Sequence, residues 1–169
     1  MGKKSIKENK NVYQIARENC EYTRQKASEL MVYISDDRIE KIESEKSPAH
    51  PDEVLQMSRA YKCPSLCNYY CSNDCPIGKV YVPEIKQKDL SQIVLQILAS
   101  LNSVEKQKER LIGITADGEI SEDEITDFVG IKDELEKISE TVSSLRLWTE
   151  QMIAEEKISA EQIEAVKNK

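Results

Sequence analysis

Residues 23–43, TRQKASELMVYISDDRIEKIE, decide how this chain is read. Thr23 is a capping residue ahead of a short helical run that places Ala27 and Leu30 on one face and ends near Met31. Val32, Tyr33 and Ile34 leave room for only a short turn, with Tyr33 expected to anchor it by packing between the two helices. Ser35 then precedes Asp36-Asp37-Arg38-Ile39-Glu40-Lys41-Ile42-Glu43. The two aspartates fall in the first turn, where the helix dipole favours them, and Ile39 and Ile42 give the helix a buried side. Two short helices joined by a tight turn predict a helix-turn-helix.

The flanks extend this into a domain over 11–62. Upstream, Val12, Ile15 and Ala16 repeat at helical spacing from Asn11 to about Asn19. Downstream, SEKSPAHPDE (44–53) is a loop by its Ser, Pro and His content, and His50 within it reads as polar surface. Pro51 and Asp52 open a fourth helix whose inner face is Val54, Leu55, Met57 or Ser58, and Tyr61. Ahead of the domain, residues 1–10 (MGKKSIKENK) carry four lysines and almost nothing to bury, a flexible basic arm that is either solvated or in touch with phosphates.

The segment from Val12 to Tyr61 resembles the phage-repressor-like helix-turn-helix regulators of the xenobiotic-response-element type. The likeness rests on Ala16-Arg17-Glu18 in the first helix, on Thr23 and Ala27 in the second, and on the run from Ile39 to Pro48 leading out of the third. It implies that the third helix enters the major groove by its N-terminal residues. Arg24 and Gln25 would then lie near phosphates, Ser35, Asp36, Asp37, Arg38 and Lys41 would face the bases, and Lys46 would add a cationic contact. The pattern is departed from at two places. Asp36 and Asp37 stand where Gln, Arg, Ser or Thr is common, and Glu45 replaces the glycine that often follows the third helix. A carboxylate can accept from a cytosine amine but is repelled by phosphates. Arg17 is expected to serve structure, in a pair with Glu18, rather than to touch DNA.

Residues 63–82 form a cysteine-rich connector. Cys63, Cys67, Cys71 and Cys75 recur every four residues, and such a spacing keeps neighbouring thiols on one face of a helix. Asn73, Pro76 and Gly78 argue that the helix stops before Cys75, so Cys63 and Cys75 would wrap in from its ends. Three readings stay open: four thiolates holding zinc or an iron–sulfur cluster, reduced thiols serving as small buried apolar groups, and disulfides or a redox switch. Tyr61, Tyr69 and Tyr70 flank the segment and would seal it, and Cys20 reads as a core residue. The cysteine-rich block and the two-helix region after it together resemble the C-terminal extension of a subset of such bacterial regulators.

Beyond the connector, Leu90, Val94, Ile97, Leu101, Val104 and Leu111 predict a long helix over 86–113. Phe128, Ile131, Leu135, Ile138, Val142, Leu145, Trp148 and Met152 predict a second over 122–156. Together they predict an antiparallel helical hairpin spanning 83–156, with residues 157–169 as a C-terminal tail. Ile93, Leu95, Leu98 and Ile112 are left over, which points to homodimerisation or to packing on the N-terminal domain. The loop Gly113 to Glu124 imitates the end of a calcium-binding loop, but Gly113 and Thr115 stand where its first oxygen ligands belong. Gly118 as a turn residue and Ser121 with Glu124 as a capping box explain the same residues.

The fold class is therefore all-α: a repressor-like helix-turn-helix bundle followed by a long antiparallel hairpin. The formal charge of −7 is not spread evenly, since residues 1–80 carry 13 Lys and Arg against 12 Asp and Glu, whereas 81–169 carry 11 against 19. The near-neutral first half permits DNA, and the acidic second half suits a basic protein partner. No apolar run approaches the roughly 20 residues that span a bilayer, so a cytoplasmic protein without membrane contact is expected. A lone histidine in a proline-flanked loop and the lack of a nucleotide loop argue against an enzyme. The function expected is a dimeric transcriptional regulator that binds double-stranded DNA sequence-specifically; the alternative is an interaction adaptor that keeps the scaffold without DNA.

Overall fold

A computed structural model of the chain describes residues 10–116 and 118–167. The described residues are all α, with nine α-helices, one π-helical turn and no strand. They run α1 (Val12–Asn19), α2 (Arg24–Glu29), α3 (Asp36–Glu43), α4 (Pro51–Ala60), α5 (Ser65–Tyr69), the π turn (Tyr70–Asp74), α6 (Gly78–Tyr81), α7 (Leu90–Ile114), α8 (Ile125–Ala154) and α9 (Ala160–Lys167). Among them no helix is long and apolar enough to cross a membrane. The basic arm expected at the N-terminus lies, apart from Lys10, outside the described residues; Lys10 pairs with Glu18 at 2.6 Å.

The first unit takes in α1 to α6, the end of α8 and α9. Its helices start where side-chain oxygens accept orphan N–H groups: Asn11 from Gln14, Thr23 from Lys26 and Ser35 from Arg38. Pro51 opens α4, where its missing N–H costs nothing. Ala27, Ile39, Val54, Met57 and Leu66 form the centre of the core, with Tyr13, Met31, Ile42 and Tyr61 around it. Ile39 and Met57 are wholly buried, each stabilising by roughly 2 kcal/mol relative to exposure. Leu30 and Leu55, expected to face inward, are instead about half exposed. The short helices bury a narrow stripe, and each of these leucines sits at its edge.

The cysteine-rich segment is part of this core rather than a separate knot. Cys63, Tyr69 and Tyr70 pack against it, and the rings of Tyr13 and Tyr69 meet edge to face at 6.2 Å. The Tyr13 hydroxyl donates to the Asp74 carboxylate at 2.8 Å. Burial first, and that carboxylate second, push the phenol well above its ordinary range. Gly78 begins α6 so close to the π turn that a Cβ would come within 1.9 Å of the Cys71 carbonyl oxygen. Only glycine fits this approach.

The second unit consists of α7 and α8 up to Trp148. Asp89 caps α7 by accepting from the Gln92 N–H, so the helix begins at Leu90 and not at Lys86. The two helices are antiparallel, with Arg110 and Asp127 paired at 2.6 Å near the connection. The expected seam is rotated. On α7 the packed stripe is Ile93, Ile97, Val104, Leu111 and Ile114, whereas Leu90, Val94 and Leu101 are 39–52% exposed. On α8 Ile131 is buried and Leu135 and Val142 are not. Thr141 and Ser144 take inner positions by donating to the Lys137 and Glu140 carbonyls of their own helix.

In the connection, Gly118 has φ +79, and the Glu124 carboxylate accepts from both the N–H and the hydroxyl of Ser121. Asp117, part of the calcium-like pattern, lies outside the described residues. Residues 160–167, expected as tail, form α9. At the end of α8, Glu156 pairs with Lys62 at 2.8 Å and Gln151 donates to the Lys62 carbonyl, both within the first unit.

Candidate nucleic-acid interface

Helix α3 is held from beneath by two ion-pair groups, and they decide which of its side chains remain outward. At its C-terminal end Glu43 is buried and receives Arg17 through two hydrogen bonds of 2.6 and 2.9 Å, and Arg24 at 2.8 Å. Arg17 also donates to the Tyr22 carbonyl. This is the pairing across helices expected for Arg17, except that the partner is Glu43; Glu18 stands 3.9 Å away. A buried carboxylate shared by two guanidinia locks α1, α2 and α3 together, and losing it would strand Arg17 in a poorly solvated site. Nearby, the buried Tyr61 hydroxyl finds no hydrogen-bond partner among the described residues.

At its N-terminal end Arg38 does not project outward. Its guanidinium donates to both oxygens of Glu53 at 2.6 and 2.7 Å, to the Ser47 hydroxyl at 2.6 Å and to the Pro48 carbonyl at 2.8 Å. Glu53 in turn accepts from the His50 N–H, which fixes the entry to α4. Arg38 therefore stitches α3 to the following loop and to α4, with its donors committed inside the domain. Burial raises the Glu53 carboxyl, but the Arg38 guanidinium and the His50 N–H outweigh it and hold the pKa below its ordinary 4.5.

What α3 presents to solvent is Asp36, Asp37 and Lys41, with Glu40 half-exposed and paired to Lys46 at 2.9 Å. Ser35 is consumed as the cap. Gln25 is exposed in the first turn of α2, and Arg24 beside it keeps 39% of its side chain accessible while bound to Glu43. Of the eight residues singled out for DNA, Gln25, Asp36, Asp37 and Lys41 are thus outward, Arg24 and Lys46 are outward but paired, and Ser35 and Arg38 are occupied.

Tyr33, expected as an anchor, is the opposite. It has φ +67 and is 99% exposed. The turn needs a left-handed residue, and MVYIS offers neither glycine nor asparagine; a tyrosine takes the position and its ring swings out. Val32, Leu30 and Leu55 expose apolar surface beside it, and Gln56 accepts the Val32 N–H to hold the turn on α4. The Glu53 partner of Arg38 had a signal in the sequence: an acid three residues after His50, the pattern of a helix start.

The zinc or iron–sulfur reading of Cys63, Cys67, Cys71 and Cys75 is corrected. Among the described residues no group of three or more His, Cys, Asp or Glu side chains is arranged to hold a metal ion. The thiols have separate partners. Cys63 faces the Ser65 hydroxyl at 3.2 Å and packs on the core, and Cys75 accepts the Gly78 N–H at 3.4 Å. Cys67 lies on α5, but Cys71 falls in the π turn that follows it, and Cys75 stands just beyond that turn. All five cysteines are free and half-buried. Burial, then the neighbouring Cys75 and Cys67, push the Cys71 thiol up, which disfavours a reactive thiolate. Cys20 lies at the core edge, donating to the Tyr61 carbonyl at 3.1 Å.

No family model matches the chain, and neither a curated protein nor a solved structure does.

Proposed function

We propose that the protein is a regulator that binds duplex DNA sequence-specifically as a dimer, reading the major groove with α3. The observation that carries this reading is a short helix fixed from beneath by Glu43 and Arg38 whose outward face makes no packing contact of its own: Asp36, Asp37 and Lys41 are all exposed. On this reading Asp36 and Asp37 accept from cytosine amines, Lys41 takes a guanine or a phosphate, and Gln25 with the start of α2 touches the backbone. Arg38 is not used as a reader. Its replacement would disturb the domain and is a poor control.

The test is binding to the protein's own upstream DNA across a salt series, with competing random DNA. Lys41→Ala should lower specific affinity roughly 5- to 100-fold. Asp36→Asn with Asp37→Asn should raise affinity for random DNA severalfold, because each carboxylate about 8 Å from a phosphate costs about 0.5 kcal/mol in a water-like dielectric. The same variant should lose discrimination among sequences. Equal, weak binding to both DNAs by the wild type would end this reading.

A second reading, an adaptor for a basic protein segment, is favoured by one observation. The exposed apolar group of Leu30, Val32, Tyr33 and Leu55 adjoins the acidic start of α3. Its mark would be a wild type that does not select any DNA sequence and binds a basic protein segment, with that binding lost in Tyr33→Ser.

A further inference from the structure

Helix α7 carries two apolar stripes, and the hairpin uses one. Beside the packed stripe runs a second, Leu90, Val94, Leu98, Leu101 and Ile112, at spacings of four, four, three and eleven, exposed by 39, 42, 53, 52 and 63%. Glu105 and Lys108 complete its periodicity and pair with each other. In an antiparallel pair, flanks displaced the same way from the seam share one face. By this rule Leu135 and Val142 of α8, exposed by 45 and 55%, lie on the same face as the second stripe of α7. With Arg110 opposite Asp127, they stand level with Leu101 and Val94.

We propose that this face is covered by a second copy of the chain, hairpin against hairpin, giving a four-helix bundle. Two observations select that occupant. The exposed parts of these seven residues amount to roughly 600 Å² of apolar surface per copy; for an interface about 60% apolar this corresponds to roughly 1,000 Å² per partner, above the size of a standard stable interface. The charges on the face are also self-complementary. A two-fold axis along the helices lays α7 of one copy on α8 of the other in the register of the hairpin itself, which sets Glu105 level with Lys132 of the second copy. The inference deepens the dimeric part of the function proposed above and does not depend on DNA.

The test is the mass of the full chain in solution by sedimentation equilibrium, without DNA, from about 1 to 100 µM. The wild type should have the mass of two copies, and Leu98→Glu/Leu101→Glu the mass of one with its helical circular dichroism kept. A charge cycle guards against a variant that fails to fold. Glu105→Lys and Lys132→Glu should each weaken association several-fold, and the two together should restore most of it. A wild type that stays a single copy at 100 µM, or a dimer indifferent to both sets of changes, overturns the proposal. A dimer that does not bind DNA leaves this inference standing and removes only the DNA reading.

Discussion

Glu21, Tyr33, Glu45, Lys62 and Glu156 have φ between 51 and 67, a region where a Cβ crowds the backbone. Four of them follow helices and close them in the same way. Behind α3 the Glu45 N–H reaches the Ile42 carbonyl and the Lys46 N–H the Lys41 carbonyl, and equivalent pairs of bonds end α1, α4 and α8. The glycine missing from the repressor-like pattern after the third helix is thus a missing residue type at an intact turn. Glu45→Gly and Lys62→Gly should each stabilise the protein by about 0.5–1 kcal/mol, since the relief of left-handed strain exceeds the added freedom of the unfolded chain. Urea unfolding would measure it, and a lowered midpoint in both variants would contradict the assignment. Tyr33 shares the strain without ending a helix in this way. The short turn was legible from sequence, but which residue would bear the left-handed conformation was not, because no glycine marked it.

At the scale of elements, charged side chains do the joining. Arg38 with Glu53 ties α3 to α4, and Arg17 and Arg24 with Glu43 tie α1 and α2 to α3. Because the Glu53 carboxyl titrates below its ordinary 4.5 in the folded protein, its contribution is fully present above that value and is lost as pH falls through the folded pKa. Glu53→Gln should therefore be less stable than the wild type near neutral pH, with the difference shrinking as pH falls below about 4.5. Urea midpoints at pH 7 and pH 3.5 would check this; a difference unchanged between them would remove Glu53 from the acid response. Helix starts at Thr23, Ser35 and Pro51 were readable because caps are local chemistry. The partner of Arg17 was not, being 26 residues away, and Glu53 was legible as part of a helix start but not as the partner of Arg38, 15 residues before it. The seam of α7 misled for a related reason. Its apolar arc is wide enough for two stripes, and only the neighbour decides which is buried first.

Across the whole molecule the two units differ in how much they bury. The first has a continuous core running from Tyr13 to Leu66, whereas the buried apolar side chains of the second are Ile93, Ile114, Ile131 and Leu147 among the described residues. Amides in the middle of α4 should accordingly exchange with solvent at least roughly tenfold more slowly than those in the middle of α7 in dilute protein. Hydrogen exchange read by mass spectrometry would test the order, and faster exchange in α4 would refute it. The sequence by itself determined the all-α class, the helix-turn-helix order, the hairpin and the starts of α1 to α4, because periodicity and capping act within a few residues. Only the tertiary structure decided that Arg38 points inward, that Tyr33 points outward, that the cysteines do not converge and which stripe of α7 is spent within the hairpin. Each of these depends on which group lies across a gap from another, and neither spacing nor composition along the chain records that distance.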